Sequence, residues 1–324
     1  MLSSLLNDPK CTLAPFVTAV NLNVPSYLRD PDIPPLIDEL AQSLIDKCTS
    51  LTSLRLLGPG DAILPSFMDL SSSLTHLELV DGDLPGWGRQ SSIQAGDILS
   101  LIGEFNALES LSMYYGVQGR VPICDPVDPI YDPRYTKLPP SLPRLRRLQL
   151  DAIWNVLLPW FLLPNVLSFP SLETLSLTLA CSPAPLSVGV MLLQSFMDLY
   201  SSSAKDLTLY LTWRTIPGEI CVVPLNWEPS TNSRSTSPFA EFTATLDFSR
   251  FTALRSISFR ILGPSDEDGL KKLADIVSTC PNRRSANPLR VILTNDDVEP
   301  IAIEGIRWIT DEKYFWERYD SSST

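Results

Sequence analysis

The chain has 324 residues, 44% of them apolar and 19% charged, which is the balance of a folded protein and not of a disordered one. A net charge of −12 opposes duplex nucleic acid. The densest basic run, Arg144, Arg146 and Arg147, is flanked by leucines and reads as a solvated strand edge. No apolar run reaches the ~20 residues that span a bilayer, so neither nucleic acid nor membrane is an expected partner.

One short pattern recurs along the chain: an apolar residue, two others, apolar, one other, apolar. Its first copy is Val17-Thr-Ala-Val20-Asn-Leu22, preceded by a lead-in of residues 1–16. Pro34 to Ile45 follows, with prolines at its start and apolar residues at helical spacing. Next come Leu51-Thr-Ser-Leu54-Arg-Leu56 and Leu74-Thr-His-Leu77-Glu-Leu79, then a second helical pattern from Ile98 to Phe105. Copies at Leu108-Glu-Ser-Leu111-Ser-Met113, Leu145-Arg-Arg-Leu148-Gln-Leu150 and Leu172-Glu-Thr-Leu175-Ser-Leu177 lead to a third helix, Val188 to Tyr200. Weaker copies start at Ala204, Leu254 and Pro288, and a fourth helical pattern opens at Ser265 with an N-cap and acidic first turn.

The last four residues of each hexad alternate, so their apolar side chains share one face of a short strand. Such a strand cannot bury that face alone, but stacked parallel neighbours can. The pattern therefore predicts an α/β fold: an irregular leucine-rich-repeat solenoid over residues 17–300, with one curved parallel sheet and helices and loops on its convex side. Strands are expected near 20–22, 54–56, 77–79, 111–113, 148–150, 175–177, 207–209, 257–259 and 291–293. Spacing between copies is irregular, with proline-rich or polar insertions at Val117–Pro143 and Thr215–Phe239. Residues 301–324, rich in Ile and aromatic side chains, read as a cap over the last repeat that ends in a frayed polar tail, with an exposed partner-binding tail as the competing reading.

The third and fifth hexad positions, and the residue just after, point away from the buried face. They pave a concave surface, the surface on which such solenoids take ligands. Arg55, Glu78, Tyr114, Arg147, Gln149, Asp151, Thr178, Tyr210 and Arg260 are its candidate partner-binding residues. Tyr114, Arg147, Asp151 and Tyr210 stand out, since aromatic and arginine side chains supply most interface hot spots. Trp154 and Trp213 follow strand copies directly and Trp87 sits in the loop that starts at Asp83; all three are candidate rim anchors, with simple packing as the plainer account.

Catalytic patterns are weak. The single histidine, His76, falls on an outward strand position, and no nucleophile elbow, phosphate loop or nucleotide fingerprint occurs. The acidic clusters Asp266–Asp268 and Asp296–Asp297 read as a helix start and a turn. The six cysteines follow no zinc spacing, so no metal or cofactor is expected, and thiols kept reduced suit the cytoplasm or nucleus. The sequence points to a protein-binding scaffold and not an enzyme.

Three stretches narrow the reading. Leu5 to Val17, Phe169-Pro-Ser-Leu172-Glu-Thr-Leu175 and Leu246 to Ile257 resemble the leucine-rich-repeat region of basidiomycete-type F-box proteins. The resemblance covers nearly the whole chain but not the F-box itself. It implies substrate recognition for a ubiquitin ligase, with adaptor docking only where an F-box is supplied. A free-standing repeat protein unrelated to ubiquitin is the second reading, and an enzyme of unrecognised type the third. The chain departs from the regular repeat at the position of the turn-closing asparagine. There it holds Pro59, Gly82, Gly116, Ile153, Ala180 and Leu262, so the turns must be closed in another way.

Overall fold

The computed structural model describes residues 6, 8, 12–23, 33–57, 64–81, 101–115, 141–151, 162, 169–180, 186–212, 246–262, 272–273, 275–277, 279–281, 290–295 and 307–308. The chain divides into two compact units, Met1–Leu177 and Thr178–Thr324. The first contains parallel strands in chain order: β1 (Ala19–Asn23), β2 (Ser53–Leu57), β3 (His76–Asp81), β4 (Ser110–Tyr115) and β5 (Arg147–Asp151). β6 (Thr174–Ala180) follows β5, and the division falls inside it. The second unit continues with β7 (Asp206–Thr212), β8 (Ser256–Leu262), β9 (Arg290–Asn295) and β10 (Arg307–Trp308), again parallel and in chain order.

The fold is therefore α/β with parallel strands, as the hexads predict. Each of the nine predicted strands is present, and each runs at least one residue further at both ends. The hexad marks only buried side chains, whereas ladder hydrogen bonds continue past them. β10 was not expected. It pairs Arg307 with Ile292 and Trp308 with Leu293 along the edge that β9 would otherwise leave open. The remainder of the predicted cap lies outside the described residues.

Register explains the core of the first unit. Leu54, Leu77, Leu111 and Leu148 lie in one row, and Leu56, Leu79, Met113 and Leu150 in the next. All eight are buried. At about 1.5–3 kcal/mol for each fully buried side chain of this size, these rows are the main attraction between neighbouring strands.

Backbone bonds close the turns that lead into the strands; positions 59, 82, 116 and 153, where the regular repeat has its asparagine, lie outside the described residues. The leading apolar residue of a hexad donates its N–H to a carbonyl three residues earlier: Leu51 to Cys48, Leu108 to Phe105, Leu145 to Leu142 and Leu172 to Phe169, at 2.9–3.2 Å. All four acceptor residues are buried. Pro143 and Pro170 follow two of them, at the turn position where a fixed φ is favoured. The second hexad residue then ties one copy to the next. The carbonyls of Thr18, Thr52, Thr75, Glu109 and Arg146 each accept two consecutive N–H groups from the following copy. In the second unit Lys205 does the same for Arg255 and Ser256.

Helical segments connect the strands. α1 (Ile33–Lys47) matches the first predicted helix, and its Ala41 and Leu44, with Cys48 just beyond, are buried. Residues 64–70, expected as a connecting loop, form a 3-10 helix. Leu64, Phe67 and Leu70 are buried there, and a spacing of three puts them on one face of a helix with three residues per turn. Of the pattern at 98–105, residues 101 and 102 are helical. α2 (Leu186–Tyr200) is the third predicted helix. Its Leu193, Phe196, Met197 and Tyr200 are buried at i, i+3, i+4 and i+7. In the fourth pattern, residues 272–273 and 275–277 are helical, and Leu273 and Val277 are buried.

Polar contacts clamp α2 to the turn ahead of β8. Gln194 Nε2 donates to the Asp247 carbonyl at 2.8 Å and to Asp198 Oδ1 at 2.8 Å, while its Oε1 accepts from Asp247 N at 2.9 Å. Arg250 Nη1 reaches Asp198 Oδ2 at 3.0 Å. Beneath this turn Phe248 packs edge-to-face on Phe251 and Phe259, with centroids 5.7 and 6.1 Å away.

Candidate functional site

The alternation that buries leucines in the first unit leaves their neighbours on the other face. Along β2, Ser53, Arg55 and Leu57 are half-buried while Leu54 and Leu56 are buried. Parallel register then sorts the outward residues into rows. One row runs Ser53, His76, Ser110, Arg147. The next runs Asn21, Arg55, Glu78, Ser112, Gln149. The third is Asn23, Leu57, Val80, Tyr114. Rows stand about 7 Å apart along the strands, and neighbours within a row about 4.8 Å apart. The face therefore grades from polar and cationic at the strand starts to apolar and aromatic toward their ends.

Charge is distributed unevenly within these rows. Arg55 and Glu78 are register partners, and Arg55 Nε lies 3.3 Å from Glu78 Oε1. The two charges offset one another, although the Nε–H makes no hydrogen bond. Arg147 is exposed and forms no ion pair among the described residues. Its row neighbour on β4 is Ser110. On the β6 side, Thr174 N donates to the Arg146 carbonyl and so comes beside it. Arg146 differs, because the same backbone ladder links it to Glu109 on one side and Glu173 on the other.

His76 is exposed, as its strand position predicts. The Thr75 hydroxyl donates to the Thr52 carbonyl at 3.2 Å and lies 2.8 Å from His76 Nδ1.

Arg55, Glu78, Tyr114, Arg147 and Gln149 thus share one face of the first unit. Asp151 and Thr178 occupy strand positions in β5 and β6, and Tyr210 pairs with Arg260 across β7 and β8 in the second unit. The side chains of these four lie outside the description, as do Trp87, Trp154, Trp213, the acidic clusters and most of both insertions. The exposed rows also include Asn21 and Asn23 of β1, which the sequence analysis did not single out. Applying the hexad rule to the copy at Val17–Leu22 would have placed them there.

Among the described residues, no three His, Cys, Asp or Glu side chains gather so as to hold a metal ion, and no helix is long and apolar enough to cross a membrane. No protein-family model matches the chain, and no curated protein matches it.

Proposed function

We propose that this chain is a non-catalytic protein-binding scaffold, an irregular leucine-rich-repeat solenoid whose exposed sheet face receives a protein partner. The observation that supports this most is the unbroken register of outward side chains from β1 to β5, over two rows of buried leucines and Met113 in β2–β5. A rigid surface with polar, charged and aromatic groups at fixed intervals suits recognition, because its residues lose little freedom on binding. Cys48 and Cys280, buried as thiols, suit a reducing compartment such as the cytoplasm or nucleus.

The test compares wild type with Ser112→Trp, which puts bulk at the centre of the face. After cross-linking in cells, a partner recovered with wild type and lost with the variant, at unchanged melting temperature, supports the reading. Recovery of every partner by both proteins would overturn it.

The narrower proposal is substrate recognition for a ubiquitin ligase, and it rests on the resemblance at Leu5–Val17, Phe169–Leu175 and Leu246–Ile257. Fused behind an F-box, the chain should then lower its partner's abundance in cells. Unchanged abundance would favour a scaffold unrelated to ubiquitin.

A further inference from the structure

We infer that the face of the first unit is built for an extended acidic segment of a partner protein, carrying a carboxylate and a large apolar side chain four positions apart. This rests on the scaffold reading above and specifies what that face recognises.

The first observation is charge. Of the two arginines in the outward rows of β2–β5, Arg55 already faces Glu78 at 3.3 Å, and Arg147 has only Ser110 and Thr174 beside it. In the described outward rows of β2–β5 the nearest acid is Glu78, two strands over and one row along and therefore about 12 Å away, and it is already paired with Arg55. Arg144, in the turn before β5, is exposed too. An uncompensated positive spot on a chain of net charge −12 is complementary to a carboxylate, and its planar fork can hold both oxygens.

The second observation is spacing. Leu57, Val80 and Tyr114 form a half-buried apolar row, and Tyr114 stands four residues along from the row of Arg147 and one strand over. In an extended segment, residues i, i+2 and i+4 point the same way and cover about 13 Å. A segment laid along β4 and β5 therefore brings an acid to Arg147 and an apolar side chain to Tyr114. Its middle residue meets Ser112 and Gln149, which accept or donate hydrogen bonds and favour a small polar side chain there. Arg55 and Glu78, already paired, contribute no net charge to the choice.

The experiment is selection of a displayed library of random peptides on the full chain, followed by affinity measurement of the enriched peptides. The expected result is enrichment of an acid followed four positions later by a large apolar residue. Binding should weaken by about tenfold or more in both Arg147→Ala and Tyr114→Ala. Changing the peptide acid to lysine should abolish binding to wild type and restore it to Arg147→Glu. Peptides without the acid, or peptides indifferent to Arg147→Ala, would overturn the inference. If Ser112→Trp still blocked those peptides, the face would remain a binding site and only its stated partner chemistry would fall. If Ser112→Trp bound them as wild type does, the scaffold reading of this face would fall as well. Enrichment of no peptide would overturn the inference.

Discussion

Arg55 and Glu78 are register partners on β2 and β3, with Nε 3.3 Å from Oε1 and side chains 38% and 35% exposed. This geometry sets their energetic value. Cross-strand pairs of opposite charge help, but at this exposure water screens them and holding two long side chains costs entropy. A double-mutant cycle with Arg55→Ala and Glu78→Ala should give a coupling of about 0.2–1 kcal/mol, shrinking in high salt. A coupling of several kcal/mol that ignored salt would mean the pair is far less hydrated than its exposure implies.

Leu148 and Leu175, by contrast, are 1% and 0% exposed and lie on the buried face of β5 and β6. Either change to Ala leaves a void that neighbouring strands, held in register, cannot close. Unfolding free energy should fall by ~2–5 kcal/mol, against less than about 0.5 kcal/mol for Ser112→Ala on the opposite face. Equal effects at the three positions in urea melts would show that the two faces had been assigned wrongly.

The strands were legible because the hexad records burial directly, with apolar side chains at every position that must leave water. The turns were not, because they are held by backbone groups that no side chain announces. Phe105 and Phe169 show the gap. Each lies three residues before a hexad, is fully buried, and offers its carbonyl to the hexad's first N–H. The motif thus begins one turn earlier than the leucines suggest. Phe105→Ala or Phe169→Ala should cost ~3–5 kcal/mol, as much as a hexad leucine. A cost below about 1 kcal/mol would show that the turn closes without them. The exposed face was readable only in part. Alternation places Arg55 and Arg147 on the same side, but the hexad cannot say that one is matched by Glu78 and the other is not.

The clamp between α2 and the turn ahead of β8 joins groups 53 residues apart in sequence. Gln194 bonds only the backbone of Asp247, so that pair does not titrate. The Asp247 carboxylate accepts from Ser249 N at 2.8 Å. This backbone bond, then the Ser249 hydroxyl, and then the Arg250 charge outweigh desolvation and hold the carboxyl below its ordinary value of 3.8. A carboxyl depressed in the folded state adds stability above its unfolded pKa and loses it as pH falls through the lower folded value. The affected window is therefore near and below pH 3.8. In urea melts, stability should fall more steeply through that window in wild type than in Asp247→Asn, whose amide oxygen can still accept from Ser249. At neutral pH Gln194→Ala, which removes the bonds to the Asp247 backbone and the bond to Asp198 Oδ1, should lower stability by about 1 kcal/mol or more. Equal acid slopes in wild type and Asp247→Asn would show that the Ser249 and Arg250 contacts do not depress the Asp247 carboxyl.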